Sequence, residues 1–104
     1  MKVTLDHERR AIRLTDERLA HIREHPEMLG LELAIEDTLR RPEHVVESLS
    51  DPQARLYYRS CEGTSVGDKY LCVVVKVLAG DAFALTAYLT DTVKKGRLVW
   101  PTGR

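Results

Sequence analysis

The spacing of apolar residues changes close to Pro42. Between residues 15 and 40, apolar side chains recur every three or four positions, which predicts two helices over residues 15–24 and 28–40. After Pro42 the period is two, which predicts strands. These strands cover residues 45–49, 55–61, 69–78, 82–91 and 97–100. Helices followed by a run of strands predict an α+β domain with the helices on one face of an antiparallel sheet.

Shorter alternating segments precede the first helix. Residues 10–14 alternate enough to predict a short strand, and residues 2–5 are a second candidate. Thr15 is the expected N-cap of the first helix, because two carboxylates follow it in the first turn, where they complement the helix dipole. Pro26 is expected to end that helix, since the residue before a proline disfavours helical geometry.

The composition is that of an ordinary globular chain. The 104 residues correspond to one domain, 1–104, and 43% hydrophobic with 31% charged residues can fill one core. Charge appears before any apolar segment, and no apolar stretch approaches the roughly 20 residues that cross a bilayer, so we expect neither a secretory signal nor a membrane partner. The two cysteines, Cys61 and Cys72, are too few for a secreted disulfide scaffold and lack the spacing of a zinc site, which predicts a reducing cytoplasm.

Charge is balanced overall but not between the two halves. Sixteen basic residues match sixteen acidic ones. Residues 1–50 carry eight basic and eleven acidic side chains, a net of −3, whereas residues 51–104 carry eight and five, a net of +3. Because recognition depends on the local field, the C-terminal half can still bind a phosphate group. The glycines lie in turns and form no phosphate-binding loop before a helix, so no cofactor is expected.

Side-chain alternation divides the predicted strands into two faces. The odd-numbered residues 71–77 are all aliphatic, and the odd-numbered residues 83–89 of the next strand are all apolar. Burying both rows against the helices requires an odd-length hairpin loop around Asp81, because a one-residue slip would expose a whole row. A three-residue loop places Lys76 opposite Thr86.

The preceding strand also has two rows. Leu56 and Tyr58 form an apolar row that is expected to face the helices, which turns the opposite row outward. The outer face is then expected to carry Arg55, Tyr57, Arg59, Lys76, Thr86, Tyr88 and Thr90. Cations and hydroxyls together suit phosphate oxygens, although an ordinary polar sheet face is the alternative. The turn at Lys94 and Lys95 has the same two interpretations, a phosphate contact or a solvated turn.

Two histidines are candidates for proton transfer. His21 and His25 are four residues apart, so on a helix they share a face, and histidine exchanges protons near neutral pH. The alternative is that both lie at the surface, where a histidine near the helix end complements the dipole. A metal site would need a third ligand from Glu27, His44 or His7, and the spacing selects none of them, so we assign no metal.

Seven segments, taken in order, resemble the phage- and mobile-element-associated branch of the barnase–EndoU–colicin–RelE nuclease superfamily. They are residues 14–18 (LTDER), 21–27 (HIREHPE), 42–45 (PEHV), 55–58 (RLYY), 73–77 (VVVKV), 85–91 (LTAYLTD) and 94–96 (KKG). The resemblance implies a ribonuclease-like fold with two N-terminal helices packed on one face of an antiparallel sheet of about four strands.

The resemblance also implies an activity. Members are thought to cleave RNA without a metal, the 2′-hydroxyl of the substrate attacking the adjacent phosphate to give a cyclic phosphate. Many act as toxins held in check by a partner, so it implies RNA and an antitoxin or immunity protein as partners. Together with the face pattern, it assigns catalysis to His21, His25, Lys76, Thr86 and Tyr88. Substrate binding is assigned to Arg55, Tyr57, Arg59, Thr90, Lys94 and Lys95.

A second hypothesis comes from a different class of function. The chain is then a non-catalytic protein-binding module of a toxin–antitoxin or mobile-element system, for which zero net charge and an acidic N-terminal half are suitable. A homodimer through the strand edge at residues 97–100 is compatible with either hypothesis.

Overall fold

Strand pairing accounts for most of the fold, since 49% of the residues lie in strands and 19% in helices. The computed structural model describes residues 1–101. Its strands are β1 (Lys2–Leu5), β2 (Ala11–Leu14), β3 (His44–Glu47), β4 (Ala54–Thr64), β5 (Gly67–Leu78), β6 (Asp81–Thr90) and β7 (Arg97–Trp100). The helices are α1 (Asp16–Ile22) and α2 (Glu32–Arg40), with a 3-10 turn, Pro26–Met28, between them.

The seven strands form one sheet in the order β1-β2-β6-β5-β4-β3-β7. Neighbours are antiparallel except β2 and β6, which are parallel. The prediction of two helices on an antiparallel sheet of about four strands is therefore wrong. Short strands at both edges enlarge the sheet, and β2 can lie parallel to β6 because both helices and three strands separate them along the chain. The last three residues of the predicted domain 1–104 lie outside the described residues.

Both helices are shorter than the sequence predicts. Thr15 Oγ1 accepts a hydrogen bond from the Arg18 backbone N–H at 3.2 Å, as expected of an N-cap. Helix α1 ends two residues before its predicted end, and α2 begins at Glu32 because Gly30, with a φ of +81°, separates it from the 3-10 turn. Within residues 1–101, no helix combines the length and the apolar character needed to cross a membrane.

The main hydrophobic core lies between the helices and one face of the sheet. Helix α1 contributes Leu19 and Ile22, and α2 contributes Ile35 and Leu39. The central strand β5 contributes the fully buried residues Leu71, Val73 and Val75. Both helices thus cover one face, and we call the other the helix-free face.

The row of β4 side chains that faces the helices is not the predicted one but the other. Tyr57 is 0% exposed and packs in the main core, whereas Leu56 and Tyr58 lie on the helix-free face. The cause is the register with β5, in which Tyr57 pairs with Val73 and Leu56 with Val74. Directly paired residues share a face, so burying Val73 against the helices takes Tyr57 with it.

Arg55 and Arg59 follow Tyr57 to the helix side, so their predicted place on the outer face is also wrong. Arg59 donates from Nη1 to the Arg41 carbonyl oxygen at 2.8 Å. Arg55 lies 4.0 Å from the Glu8 carboxylate. Both guanidinium groups therefore reach around the edge of the core to the loop and helix ends beside it.

The β5–β6 hairpin has a two-residue loop, not the predicted three. Gly80, with a φ of +75°, occupies the second loop position and supplies there the positive φ that is typical of a type II turn. Lys76 consequently lies opposite Phe83, and the predicted pairing of Lys76 with Thr86 is wrong. An extra residue in β6, Leu85, then shifts the register, so that beyond it odd-numbered residues face odd-numbered ones.

Because of the bulge at Leu85, the even-numbered residues of β6 face the helices before it and the odd-numbered residues face them after it. Ala82 and Ala84 are buried in the main core, whereas the prediction placed Phe83 and Leu85 there. Phe83 instead carries the Arg13 guanidinium 5.2 Å above its ring. Leu85 is left on the helix-free face, where it contributes to the groove described below.

We expect Tyr57→Phe to lower the free energy of unfolding by about 1–3 kcal/mol. The Tyr57 hydroxyl donates to Asp6 Oδ2 at 2.6 Å, and the Asp6 side chain is fully buried, so the variant removes a donor from a desolvated carboxylate. Urea unfolding measures the change. Tyr70→Phe, at a half-exposed tyrosine, is the control, and an equal loss in both variants would contradict the assignment.

Candidate functional site

The helix-free face contains a groove of about 550 Å³. Its floor is formed by Leu56, Val74, Leu85 and Tyr88, from three adjacent strands. Its sides are formed by the β3–β4 turn, which contributes Ser48, Ser50 and Asp51, and by Lys94 and Lys95. The groove therefore combines an apolar floor with a rim of hydroxyls and charges.

An ion pair lies at the β3–β4 side of the groove. Lys76 Nζ donates to Asp51 Oδ2 at 2.6 Å. The backbone N–H of Gln53 donates to the other carboxylate oxygen at 3.0 Å. The Lys76 hydrogen bond, followed by that of Gln53, holds the pKa of Asp51 below its usual value. Asp51 is therefore ionised at neutral pH and free to accept a proton, but the lowered pKa makes it a weaker base than an ordinary carboxylate.

Lys94 and Lys95 lie on a segment that crosses the sheet. Strands β6 and β7 are separated by three strands, so residues 91–96 span four inter-strand spacings, about 19 Å. Seven Cα steps from Thr90 to Arg97 reach only about 24 Å when fully extended. We call residues 91–96 the crossing segment. It passes over the helix-free face with little slack and leaves both lysine side chains exposed.

A small second core supports the groove from below. It contains Val46, Leu56, Tyr58 and Cys72, with Tyr88 packed against it. Burial raises the pKa of the Cys72 thiol to about 11, while the neighbouring Tyr58 and Tyr88 hydroxyls lower it by a smaller amount. Burial, with the neighbouring thiol, also raises the pKa of Tyr88. Tyr88 therefore remains a hydrogen-bond donor and not a base.

The two candidate histidines lie on the other side of the sheet from this groove. Helix α1 packs on β6 through Leu19 and Ile22, on the face that carries the main core. His21 and His25 are exposed, with ring centroids 6.5 Å apart, and His21 Nδ1 lies 3.6 Å from the Glu24 carboxylate. The structure thus keeps the histidine pair together but does not bring it to Lys76, Thr86 and Tyr88.

The remaining predicted residues divide between the two faces. Tyr88, Lys94 and Lys95 line the groove, and Lys76 reaches it through Asp51. Thr86 and Thr90 lie on the same face, opposite Val74 and Tyr70 respectively. Arg55, Tyr57 and Arg59 lie on the helix side. A phosphate-sized ligand in the groove therefore meets lysines and hydroxyls but no arginine from β4.

The sequence analysis missed Asp51 and the two serines beside it. Residues 50–53 have the composition of a turn, and that is how they fold: Ser48 Oγ accepts a hydrogen bond from the Asp51 backbone N–H at 3.3 Å. No local signal connects this turn with Lys76, because the two meet only after β4 pairs with β5. Asp51 and Lys76 are 25 positions apart in the sequence, so only the tertiary fold brings them together.

The described residues do not form a metal site around His21 and His25. Within residues 1–101, no group of three or more His, Cys, Asp and Glu side chains is arranged to hold a metal ion. The third ligands considered from the sequence are also dispersed: His7 lies against Trp100, 4.7 Å between ring centroids, and His44 lies in β3.

A second polar cluster lies under the β1–β2 loop on the helix side. The His7 side chain is 5% exposed, and its ring packs against Tyr57 and Trp100. Among residues 1–101, neither ring nitrogen of His7 has a hydrogen-bond partner. Asp6 beside it accepts hydrogen bonds from the Arg10 backbone and side chain at 2.8 and 3.1 Å. This cluster adjoins packed aromatic rings and fixes the loop against the core.

Comparisons of the chain with protein-family models, with curated proteins and with solved structures found no match. The resemblance to the nuclease superfamily therefore stays a hypothesis. A functional assignment has to rest on the geometry of the groove.

We expect the stability of the protein to fall as the pH drops below about 6.5, and His7→Phe to reduce that dependence. Burial lowers the pKa of His7; Asp6 and Glu8 raise it less, and Arg10 and Arg55 add to the lowering. The unfolded chain then binds the proton more readily than the folded one, so this contribution is present above pH 6.5 and is lost on acidification. One proton corresponds to at most about 1.4 kcal/mol per pH unit.

Urea unfolding between pH 7.5 and 5.5 measures this effect. The hydrogen bonds to Asp6 lower the pKa of that carboxyl despite its burial, which leaves its titration below the window. His21→Gln, at an exposed helix position, is the matched control. An unchanged pH slope in His7→Phe would contradict the assignment.

Proposed function

We propose that the chain is a small metal-independent endoribonuclease-like domain that binds single-stranded RNA in the groove on the helix-free face. The groove supports this proposal because one concave surface carries an apolar floor, two exposed lysines and an ionised carboxylate paired with a third lysine. These are Lys94, Lys95, Asp51 and Lys76.

The lysines and hydroxyls suit the sugar–phosphate chain. Lys94 and Lys95 are exposed and can each approach a phosphate, and Ser48 and Ser50 offer hydroxyl donors in the same lining. The floor suits a base, because Leu56 and the Tyr88 ring provide an apolar surface for a flat ring. A duplex keeps its bases stacked inside, so the groove favours an unpaired strand.

The chemistry that fits these groups is an internal transesterification. The Asp51 carboxylate takes the proton of the 2′-hydroxyl, and the 2′-oxygen forms a bond to the adjacent phosphorus. The bond from phosphorus to the 5′-oxygen breaks, and a lysine ammonium group of the groove returns a proton to that oxygen. Lys76 and Lys94 offset the charge of the phosphorane, and protonated Tyr88 donates a hydrogen bond to it. The products are a 2′,3′-cyclic phosphate and a 5′-hydroxyl.

In this proposal His21 and His25 take no part in catalysis. They lie beyond the sheet from the groove, so they cannot exchange protons with a substrate held there. The proposal places the activity in the cytoplasm, since both cysteines of the chain are free thiols and Cys72 is fully buried.

One observation favours a second candidate, a protein-binding module on the same face. Leu49 at the groove is 78% exposed, and Leu98 of the edge strand β7 is 51% exposed. Large apolar side chains at a basic groove suit an acidic protein partner, such as an antitoxin or immunity protein. Edge-to-edge pairing of β7 in a homodimer would also cover Leu98.

We expect purified protein to cleave single-stranded RNA in the presence of EDTA and to leave cyclic-phosphate ends. Asp51→Asn should lower the cleavage rate by about 100-fold or more, because it removes the proton acceptor, while RNA affinity is retained. Lys94→Ala with Lys95→Ala should weaken binding about tenfold at 0.15 M salt. End-group analysis and a fluorescence binding titration measure the two effects.

His21→Ala with His25→Ala is the matched control, since it changes two exposed groups on the other side of the sheet. We expect it to retain cleavage within about twofold. If the histidine variant loses cleavage and Asp51→Asn keeps it, the groove assignment is wrong. If the wild-type protein neither binds nor cleaves RNA, the protein-binding module is the better function.

A further inference from the structure

Beyond the ion pair of Asp91 with Lys69 of β5 at its start, 2.6 Å between the charged atoms, the crossing segment, residues 91–96, is held to the sheet at three points. Val93 packs against the second core on the helix-free face. The Lys94 backbone N–H donates to the Tyr58 hydroxyl oxygen at 3.1 Å. Gly96 lies so close to β3 that an added Cβ would overlap the Glu47 carbonyl oxygen and come within 2.5 Å of Val46 Cγ1.

The middle contact is the one adjacent to the lysines. Val93 and Gly96 fix the segment by packing alone, but Tyr58 makes a directional bond to the backbone of Lys94 itself. Tyr58 is fully buried in β4, a central strand of the sheet. The position of the Lys94 backbone is therefore set by a rigid part of the fold.

We infer that Tyr58 is a positioning residue for phosphate binding: its buried hydroxyl holds the crossing segment so that Lys94 and Lys95 stand at the groove. This inference rests on the proposed function for its ligand, a phosphodiester of single-stranded RNA. Tyr58 itself is covered by the segment and contacts no substrate.

The hydroxyl is suited to a fixed structural bond and not to proton transfer. Burial raises the pKa of Tyr58 to about 12, so the group stays protonated through the physiological range. Its oxygen accepts a hydrogen bond from the Lys94 N–H at 3.1 Å. Cys72 and Tyr88 pack in the same second core, and Tyr88 also lines the groove, so packed side chains connect the Tyr58 bond with the groove floor.

The gain for binding is preorganisation. Residues 91–96 have no helical or strand pairing, and an unrestrained segment would have to be ordered when RNA binds. A segment already stretched across the sheet and bonded at Lys94 has lost most of that freedom in the free protein. Removing the bond should therefore reduce affinity without touching either charge.

Tyr58→Phe tests the inference. We expect the Lys94 amide to exchange its hydrogen with solvent at least about tenfold faster, because its acceptor is gone. Affinity for a fluorescent single-stranded RNA should fall about three- to fivefold. The dependence of log K on log salt should become shallower by up to about 0.7, the value of one phosphate contact on a single strand. Between pH 6 and 9, the affinity of the wild-type protein and that of Tyr58→Phe should depend on pH in the same way.

Two further variants separate positioning from general destabilisation. Tyr70→Phe is the matched control: its ring packs edge-on to Tyr58 at 6.4 Å, but the Lys94 N–H bonds to the Tyr58 hydroxyl and not to that of Tyr70, so affinity and Lys94 exchange should stay at wild-type values. Gly96→Ala displaces the segment from its other end while Tyr58 is intact, and should weaken binding in the same direction. Adding Tyr58→Phe to the double variant Lys94→Ala and Lys95→Ala should weaken binding no further.

The outcomes distinguish this inference from the proposed function. If the lysine variants lose affinity and Tyr58→Phe does not, the function stands and the positioning role is wrong. If Tyr58→Phe weakens binding equally with and without the lysines, its effect is not exerted through them and the inference is again wrong. If the wild-type protein binds no RNA, the proposed function is wrong, and an unchanged Lys94 exchange rate in Tyr58→Phe would refute the positioning of the segment independently.

Discussion

The register of β4 on β5 is the constraint on which the rest of the structure depends. Tyr57 pairs with Val73 and Tyr58 with Cys72, so consecutive tyrosines enter different cores. Because side chains alternate along a strand, a shift of one residue would exchange the two rows completely. The observed register gives the helix side a tyrosine that binds Asp6, and gives the helix-free side a tyrosine that binds the crossing segment.

The two faces of the sheet consequently have different roles. The helix side is closed: α1, α2 and the β1–β2 loop cover it, and its buried polar groups are used to hold that loop. Among residues 1–101, the crossing segment passes over the helix-free side and leaves a groove beside it. Residues 91–96 must span about 19 Å and have little length to spare, so they leave the groove unfilled. The same shortage of slack fixes the lysines that we assign to phosphate binding.

The candidate site was predictable only where its residues share a local pattern. Tyr88 lies on the outward row of an alternating strand, and Lys94 and Lys95 lie between two predicted strands, so their place outside the main core could be expected. Asp51 was not identifiable as a partner of Lys76, since the contact joins the β3–β4 turn to strand β5, which are remote in sequence. The histidine pair was identifiable as a pair, because a four-residue spacing is a property of the helix alone, but which side of the sheet the helix would cover was not.

The pattern of side chains along the chain was enough to predict the elements: every segment with a sustained period of two is a strand, the N-cap is Thr15, and the helices lie on either side of residues 26–30. Which face of each strand is buried could be read only from the folded sheet. In β4, at the tyrosine pair, and in β6, before the bulge at Leu85, the buried row is the opposite of the expected one. Alternation divides a strand into two rows of side chains but does not show which row faces the core. The buried row is set by cross-strand pairing and packing, which bring together residues that are distant in the chain.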